Sequence, residues 1–247
     1  LIYTIPNFQN PTGASLSGGR RRRLLTLAAR YNVPILEDDF VGDLRYEGRA
    51  QPAIKALDHV GQVIYVGTFS KLLMPGLRVG FLVADGPILD RLGNHKRVHD
   101  LTTPPLMQRV VDRYVTVGRY QAHLRRTTRA YRARRDAMHT AVREFLPGTS
   151  VAPSHGGLFA WLRLPGPVSA ETLVSYALDE GVAFAPGHRF FAIPTDGERF
   201  LRLNFATRTP DEIIQGTRRL ATAMQRANRE GRIGHEDAES RPPHDVP

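Results

Sequence analysis

Short apolar runs alternate with segments of helical periodicity along the first half of the chain. The strand-like runs are residues 1–5, 33–37, 63–66 and 79–83. Apolar residues recur at helical spacing in residues 17–30, about 87–99 and about 105–117. Strands that alternate with helices are typical of a doubly wound, mainly parallel sheet. The first half of the chain therefore predicts an α/β fold.

The second half of the chain follows a different pattern. A long helical period starts at about residue 120 and is broken by Pro147 and Gly148. The elements predicted after this break are strands at residues 157–164, 182–185 and 199–205, and helices at residues 170–180 and 210–226. Short strands and helices in this arrangement indicate a smaller α+β unit.

The change of pattern divides the chain into three predicted parts. Residues 1–119 form the α/β part, and residues 120–228 form the long helix with the smaller unit. Residues 229–247 are polar, charged and proline-containing, a composition that predicts disorder. The chain starts at Leu1, within an apolar run, so we expect it to be the C-terminal portion of a larger protein.

The composition limits the chemistry that the chain can carry. The apolar fraction of 41% permits a packed core. The lack of cysteine excludes disulfides and thiolate metal sites and fits a cytoplasmic protein. No apolar run is long enough to span a membrane. His95 and His99 have the spacing of a metal pair on a helix, but no third ligand accompanies them, so no metal site is predicted.

The net charge of +10 raises the question of nucleic-acid binding. The arginines are spread along the whole chain and acidic residues are interleaved with them. In the arginine-rich residues 119–143, apolar residues recur at helical spacing, so we expect the arginines on the opposite, hydrated face. The distribution favours a solvated surface over a nucleic-acid interface in this chain.

Lysine is rare here, and one lysine has informative neighbours. Of the 34 basic residues only Lys55, Lys71 and Lys96 are lysines. Only lysine can form a Schiff base with an aldehyde cofactor, because the arginine guanidinium does not deprotonate. The residues around Lys71 include two hydroxyls before it and a Gly-x-Arg-x-Gly turn after it. Hydroxyls, a guanidinium and tight glycine backbone suit a phosphate group.

Three candidate segments follow predicted strands. Asn10, Asp38 and the loop of residues 68–71 each come just after a strand-like run. In open α/β sheets, ligands bind at the carboxyl ends of the strands. We therefore expect these segments to share one edge of the sheet.

Four motifs in a fixed order extend this picture. They are Asn10-Pro11-Thr12-Gly13, Glu37-Asp38-Asp39, Ser70-Lys71 with Pro75-Gly76-Leu77-Arg78-Val79-Gly80, and Phe200-Leu201-Arg202-Leu203-Asn204-Phe205. Together they resemble the fold-type-I pyridoxal-phosphate aminotransferases of class I/II, over residue 1 to about 228. Within this family, the resemblance is strongest to the branch of 2-aminoadipate and kynurenine aminotransferases, which also includes the aminotransferase-like domains of MocR-type regulators. Residues 37–46 resemble the MocR-type regulators in particular.

The resemblance implies a fold and a function. The fold is the aspartate-aminotransferase-like fold of pyridoxal-phosphate-dependent transferases, with residues 1–119 as the C-terminal part of its large domain. The function is transfer of an amino group between an amino acid and a 2-oxo acid. The intact protein is expected to be a homodimer with no membrane association, and to contact DNA only through an N-terminal winged-helix domain outside this chain.

The resemblance also implies roles for individual residues. Lys71 forms the Schiff base with pyridoxal 5'-phosphate and moves a proton during transfer. Asp38 pairs with the ring nitrogen of the cofactor. Asn10 donates a hydrogen bond to its phenolic oxygen. The remaining roles are contact with the cofactor phosphate, by Thr68, Ser70 and Arg78, and with the substrate carboxylate, by Arg202.

Each role has a plainer alternative from the residues alone. Asn10 also fits an ordinary Asn-Pro turn, Asp38 a loop acid, and Arg78 a surface arginine beside a turn. Arg202 alternates with apolar residues, as a strand residue on a solvent face does. One departure from the family pattern is that Phe40 and Val41 stand where a tyrosine is common.

Two functions remain open at this point. The first is an aminotransferase. The second is the effector-sensing domain of a MocR/GntR-type transcription regulator, which would bind the cofactor and an amine with little turnover. Both functions use the same residues, so this chain does not separate them.

Overall fold

A computed structural model describes residues 1–239, with side chains through residue 230. The chain divides into two compact units. The first comprises Leu1–Arg132 with Ser154–Gly157, and the second comprises Ala133–Pro153 with the residues from Leu158 onward. The division falls within a long helix, whereas the sequence places a boundary at residue 119.

A four-stranded sheet forms the centre of the first unit. Its strands are β1 (Ile2–Thr4), β2 (Ile35–Asp38), β3 (Val63–Thr68) and β4 (Gly80–Val83), in that order. The first three strands are parallel, and β4 runs antiparallel to β3. The mainly parallel sheet that the alternation predicts is therefore confirmed.

The helices of the first unit agree with the predicted segments. They are α1 (Gly18–Arg30), α2 (Gly86–Asp100), α3 (Pro105–Thr116) and the first part of α4 (Arg119–Phe145). Helix α1 starts at Gly18 because the Ser17 side chain accepts a hydrogen bond from the backbone N–H of Arg20. The same helix buries Ala28 in a core cluster with Ile35 and Val63, which joins it to the sheet.

One arginine of the basic run in α1 is fully buried. The Arg21 guanidinium donates to the backbone carbonyls of Leu16, Pro6 and Pro52 and to Asn7 Oδ1, at 2.7–3.0 Å. These four bonds connect α1 to the segment that precedes it and to the segment that follows β2. Arg21 is therefore a structural cross-link and not a surface charge.

Replacing Arg21 by methionine should destabilise the protein by about 3–5 kcal/mol, because all four hydrogen bonds of a fully buried guanidinium are lost. Arg23→Met is the matched control: Arg23 is exposed on the same helix, and its loss should change the free energy of unfolding by less than about 0.5 kcal/mol. Urea unfolding of both variants measures the difference. Equal costs for the two substitutions would contradict the cross-linking role.

The second unit contains an antiparallel sheet. Its strands are β5 (Ser150–Val151), β6 (Phe159–Arg163), β7 (Ala185–Pro186) and β8 (Phe200–Asn204), in the order β5-β6-β8-β7. Its helices are the last part of α4, α5 (Ala170–Asp179) and α6 (Pro210–Glu239). The sheet and helices form the α+β unit that the sequence predicts.

Two predicted elements of this unit need correction. Strand β7 is shorter than the predicted residues 182–185, because the Val182 N–H donates to the Ala177 carbonyl and closes the end of α5. Helix α6 continues to Glu239, so residues 229–239 of the predicted disordered tail are helical. Packing persists past the predicted end at residue 226, where Ala227 is buried. Residues 240–247 of that tail lie outside the described residues.

The arginine-rich helix α4 contains one exception to its predicted hydrated face. Arg135 is buried, and its Nε lies 2.6 Å from Asp136 Oδ1. The long aliphatic stem of arginine can cover apolar surface while its charged end reaches a carboxylate.

Candidate functional site

The predicted site residues of the first unit belong to one edge of its sheet. Asp38 ends β2 and Thr68 ends β3, and Asp38 pairs with Val66 in the parallel register. Asn10 lies in the loop that follows β1. Because β1, β2 and β3 are parallel, their carboxyl ends meet at the same edge. The structure therefore brings together the three segments that the sequence predicts there.

The loop that carries Lys71 is anchored by its apolar residues. Leu72, Leu77 and Val79 are buried, and Leu77 and Val79 form a core cluster with Val111 of α3. The Thr68 hydroxyl accepts a hydrogen bond from the Ser70 N–H at 3.1 Å. These contacts fix the loop from inside, while Lys71 and Arg78 of the same loop are exposed.

Lys71 differs from the other two lysines in its electrostatic surroundings. The Lys55 ammonium pairs with Asp58 and Asp85, and the Lys96 ammonium pairs with Asp100. Lys71 is exposed and forms no ion pair or hydrogen bond with any residue that the structure describes. Its amine is therefore available to react.

A second available cation lies in the same loop. Arg78 is exposed and has left-handed backbone geometry, with φ of 52°, at the end of the 3₁₀ turn Pro75–Leu77. Among the side chains and backbone that the structure describes, its guanidinium contacts only the Pro75 carbonyl, at 3.5 Å. Two cationic side chains and the hydroxyls of Thr68 and Ser70 thus occupy one short segment. This combination suits a phosphate dianion.

The loop around Asn10 is held by a compact set of hydrogen bonds. Gln9 Oε1 accepts from the backbone N–H and the hydroxyl of Thr12, at 3.1 and 2.6 Å. The Gly13 N–H donates to the Gln9 carbonyl at 2.7 Å, in a left-handed conformation that suits glycine. The Asn10–Pro11 peptide bond is cis. The hydrogen bonds of Gln9 thus hold the turn that contains Asn10.

The two adjacent aspartates after β2 have different hydrogen-bond partners. Asp38 Oδ2 accepts from the Tyr3 hydroxyl at 2.7 Å. Asp39 Oδ1 accepts from Asn7 Nδ2 at 3.0 Å, and Asp39 Oδ2 accepts from the Tyr65 hydroxyl at 2.9 Å. Both oxygens of Asp39 are thus occupied, whereas Asp38 Oδ1 has no bond from the part of the chain that the structure describes. Asp38 is therefore the carboxylate with an oxygen left for a ligand.

Tyr3 is a site residue that the sequence alone does not identify. The apolar run at residues 1–5 predicts only a strand. The sequence does place Tyr3 on the predicted strand before the one that Asp38 follows. The register that brings the two side chains to the same face is known only from the structure. Burial, followed by the hydrogen bond and the charge of Asp38, raises the pKa of Tyr3 to about 12, so its hydroxyl remains a donor at neutral pH.

The positions that depart from the family pattern contain no substitute hydroxyl. Val41 is 1% exposed. Tyr46, the next tyrosine along the chain, is buried and its hydroxyl donates to the Gly157 carbonyl. Tyr46 is therefore engaged in the packing of the first unit.

Arg202 lies in the second unit, on β8. Its guanidinium carbon is 4.2 Å from the centre of the Phe159 ring and 4.9 Å from that of Phe190. Burial lowers the pKa of Arg202 below its ordinary value. The two rings hold the guanidinium between them by cation–π contact. Arg202 is half-buried and oriented, which argues against the plain solvent-facing strand residue.

No helix among the described residues is both long and apolar enough to cross a membrane. Among the side chains that the structure describes, through residue 230, no group of three or more histidine, cysteine, aspartate or glutamate residues could hold a metal ion.

The fold and the edge of the first sheet define an α/β protein with an exposed lysine, a carboxylate with one unbonded oxygen among the described residues, and a cationic loop at its strand ends. Comparison with known proteins identifies the class. The model of the family described as aminotransferase class I and II matches residues 3–220. The chain therefore belongs to the class I and II aminotransferase family, and the resemblance seen in the sequence is confirmed.

Individual relatives include enzymes and a regulator. Aromatic-amino-acid aminotransferase 1 of Thermococcus litoralis is 40% identical over 226 residues, which are 91% of this chain and 54% of that protein. The HTH-type transcriptional regulator TauR of Rhodobacter capsulatus is 36% identical over 228 residues, which are 91% of this chain and 46% of that protein. The chain thus spans about half the length of these relatives.

A solved structure supports the same fold. The crystal structure of LysN, an alpha-aminoadipate aminotransferase from Thermus thermophilus, matches with a TM-score of 0.85 and 38% identity, over 91% of this chain and 58% of that chain. That protein was crystallised in complex with N-(5'-phosphopyridoxyl)-L-leucine. The predicted fold of fold-type-I aminotransferases is therefore confirmed.

Proposed function

We propose that the protein carrying this chain is a pyridoxal-phosphate-dependent aminotransferase that exchanges an amino group between an amino acid and a 2-oxo acid. The observation that carries this proposal is the exposed amine of Lys71, without an ion pair among the described side chains, at the strand edge where Asp38 has an open oxygen. Family membership supports it.

The side chains at this edge fit the cofactor chemically. An amine suits its aldehyde, a carboxylate its ring nitrogen, and hydroxyls with a guanidinium its phosphate. We assign these functions to Lys71, Asp38, and the group Thr68, Ser70 and Arg78. Asn10, on the neighbouring loop, is assigned to the phenolic oxygen. When bound, pyridoxal phosphate supplies an electron sink that stabilises negative charge at the carbon next to the amino group.

In this proposal Lys71 has a second function in the reaction. With the cofactor bound, Lys71 Nζ would also be the base that accepts the proton from the substrate α carbon. Asp38, held from one side by Tyr3, would contact the ring nitrogen of the bound cofactor. Arg202 binds the substrate carboxylate with the paired N–H groups of its guanidinium. The intact protein is proposed to be a cytoplasmic homodimer, by analogy with the family.

Reductive trapping on the full-length protein tests the proposal. Borohydride should fix the cofactor on Lys71 Nζ, and trypsin should then fail to cut after this residue. The expected product is a single pyridoxyl-modified peptide of residues 56–78, because Lys55 and Arg78 are its nearest cleavage sites. The untreated protein should give separate peptides of residues 56–71 and 72–78. A modification on Lys55 or Lys96 would overturn the assignment.

The regulator relative supports one second candidate, an effector-sensing domain with little turnover. The lack of a tyrosine at Phe40 and Val41 favours it, since that hydroxyl would adjust the reactivity of the cofactor in a working enzyme. Single-turnover and steady-state assays on the full-length protein separate the two functions. An amino acid that changes the cofactor absorption without accumulation of its 2-oxo acid would favour the sensing domain.

A further inference from the structure

The hydrogen bond between Tyr3 and Asp38 joins two neighbouring parallel strands at the candidate site. Tyr3 pairs with Leu36 in the register of β1 and β2, so Tyr3 and Asp38 lie on the same face of the sheet. Glu37 lies on the opposite face, where it accepts from the backbone N–H groups of Ile54 and Lys55. The sheet geometry therefore sets the Tyr3–Asp38 contact without help from a loop.

The bond leaves one oxygen of Asp38 available. The Tyr3 hydroxyl occupies Oδ2, and a carboxylate whose rotation is fixed through one oxygen presents the other in a defined direction. The hydroxyl is the part of Tyr3 for which the structure shows a specific contact.

We propose that Tyr3 is a positioning residue for the cofactor: its hydroxyl holds Asp38 Oδ2 and thereby directs Oδ1 to the ring nitrogen of pyridoxal phosphate. This inference rests on the proposed function, because it requires that Asp38 contacts the ring. It adds a residue from outside the four motifs.

Tyr65 provides a matched control one strand away. The Tyr65 hydroxyl also donates to an aspartate that follows β2, but this aspartate is Asp39 and not Asp38. The other oxygen of Asp39 already accepts from Asn7. Tyr3→Phe and Tyr65→Phe each remove a single oxygen atom. The first should affect cofactor binding, and the second should affect mainly the stability of the fold.

The test is a double-mutant cycle on the full-length apoprotein, titrated with pyridoxal phosphate and followed by its absorbance. Tyr3→Phe should raise the dissociation constant about three- to tenfold in the wild-type background, the usual effect of one such hydrogen bond. In the Asp38→Ala background the same substitution should have almost no effect, because its partner is gone. The ring nitrogen of ¹⁵N-labelled cofactor should change its chemical shift in Tyr3→Phe and keep it in Tyr65→Phe.

Three results would overturn the inference, and they have different meanings. A Tyr3→Phe dissociation constant within about twofold of wild type, with an unchanged ¹⁵N shift, would show that the hydroxyl does not position Asp38. An equal loss in the Asp38→Ala background would show that Tyr3 acts through another group. An Asp38→Ala variant with wild-type affinity and ¹⁵N shift would instead reject the proposed role of Asp38 itself. Circular dichroism of each variant verifies that it is folded.

Discussion

Replacing Lys71 by alanine should lower the rate of amino transfer by at least about 10⁴-fold, to the limit of detection. In the proposed function, the substitution removes both the amine that would hold the cofactor and the base that would move the α proton. Lys71→Arg should lose as much activity, although it keeps the positive charge. A guanidinium stays protonated in proteins, so it cannot act as a nucleophile or a base. Steady-state assays with an amino acid and 2-oxoglutarate measure both variants.

A matched control and a rescue make this result specific. Lys96→Ala removes an exposed lysine that pairs only at the surface with Asp100 and Thr103, so it should leave activity within about twofold of wild type. A small primary amine added to Lys71→Ala should restore part of the rate, since it can take the place of the missing base. Full activity of Lys71→Ala without added amine would reject the proposed chemistry.

Replacing Arg202 by alanine should lower kcat/KM for amino acids on the order of 10²–10³-fold, about 3–4 kcal/mol of transition-state binding. The guanidinium is already held between Phe159 and Phe190, so little entropy is lost when it binds a carboxylate. Arg202→Lys keeps the charge without the paired N–H geometry and should lose on the order of tenfold.

The substrate itself provides the control for Arg202. The single-turnover rate with an amino acid should fall in Arg202→Ala, whereas the rate with the corresponding amine, which lacks the carboxylate, should stay near that of wild type. Arg163→Ala is the matched protein control, because Arg163 also lies near an aromatic ring, 5.9 Å from Phe200, but is exposed. Equal losses for the amino acid and the amine would show that Arg202 supports the fold and does not bind the carboxylate.

Local signals in the sequence predict most of the elements. Helix α1 is an example, because Ser17 caps it and its apolar residues recur at helical spacing. The direction of β4 could not be predicted in the same way, since an apolar run of four residues has no direction. Its antiparallel pairing follows from the short return of the chain through the turn Pro75–Leu77.

The buried Arg21 shows a signal that was present but ambiguous. It stands in a run of four arginines, which suggests a hydrated face. Yet Arg21 has the helical spacing of Leu24, Leu25 and Ala28, which face the core. Only the surrounding carbonyl groups, supplied by distant loops, explain why a charge is stable at that position.

Some features of the candidate site could be predicted from the sequence, and others could not. The strand-end positions of Asp38 and Lys71 are local features, and the sequence predicts them. The contact of Tyr3 with Asp38 joins residues 35 positions apart, so it depends on the register of two strands. Likewise the different bonding of Asp38 and Asp39 has no counterpart in the sequence, where the two residues are identical neighbours.

The scarcity of lysine has a practical consequence for spectroscopy. Reductive methylation with ¹³C-formaldehyde would place NMR-visible methyl groups on only three side chains of this part of the protein. Two of those reporters would sit in ion pairs, and the third would sit on the Lys71 loop. The methyl resonance of Lys71 would report on that loop in the apoprotein. No residue would have to be mutated for this measurement.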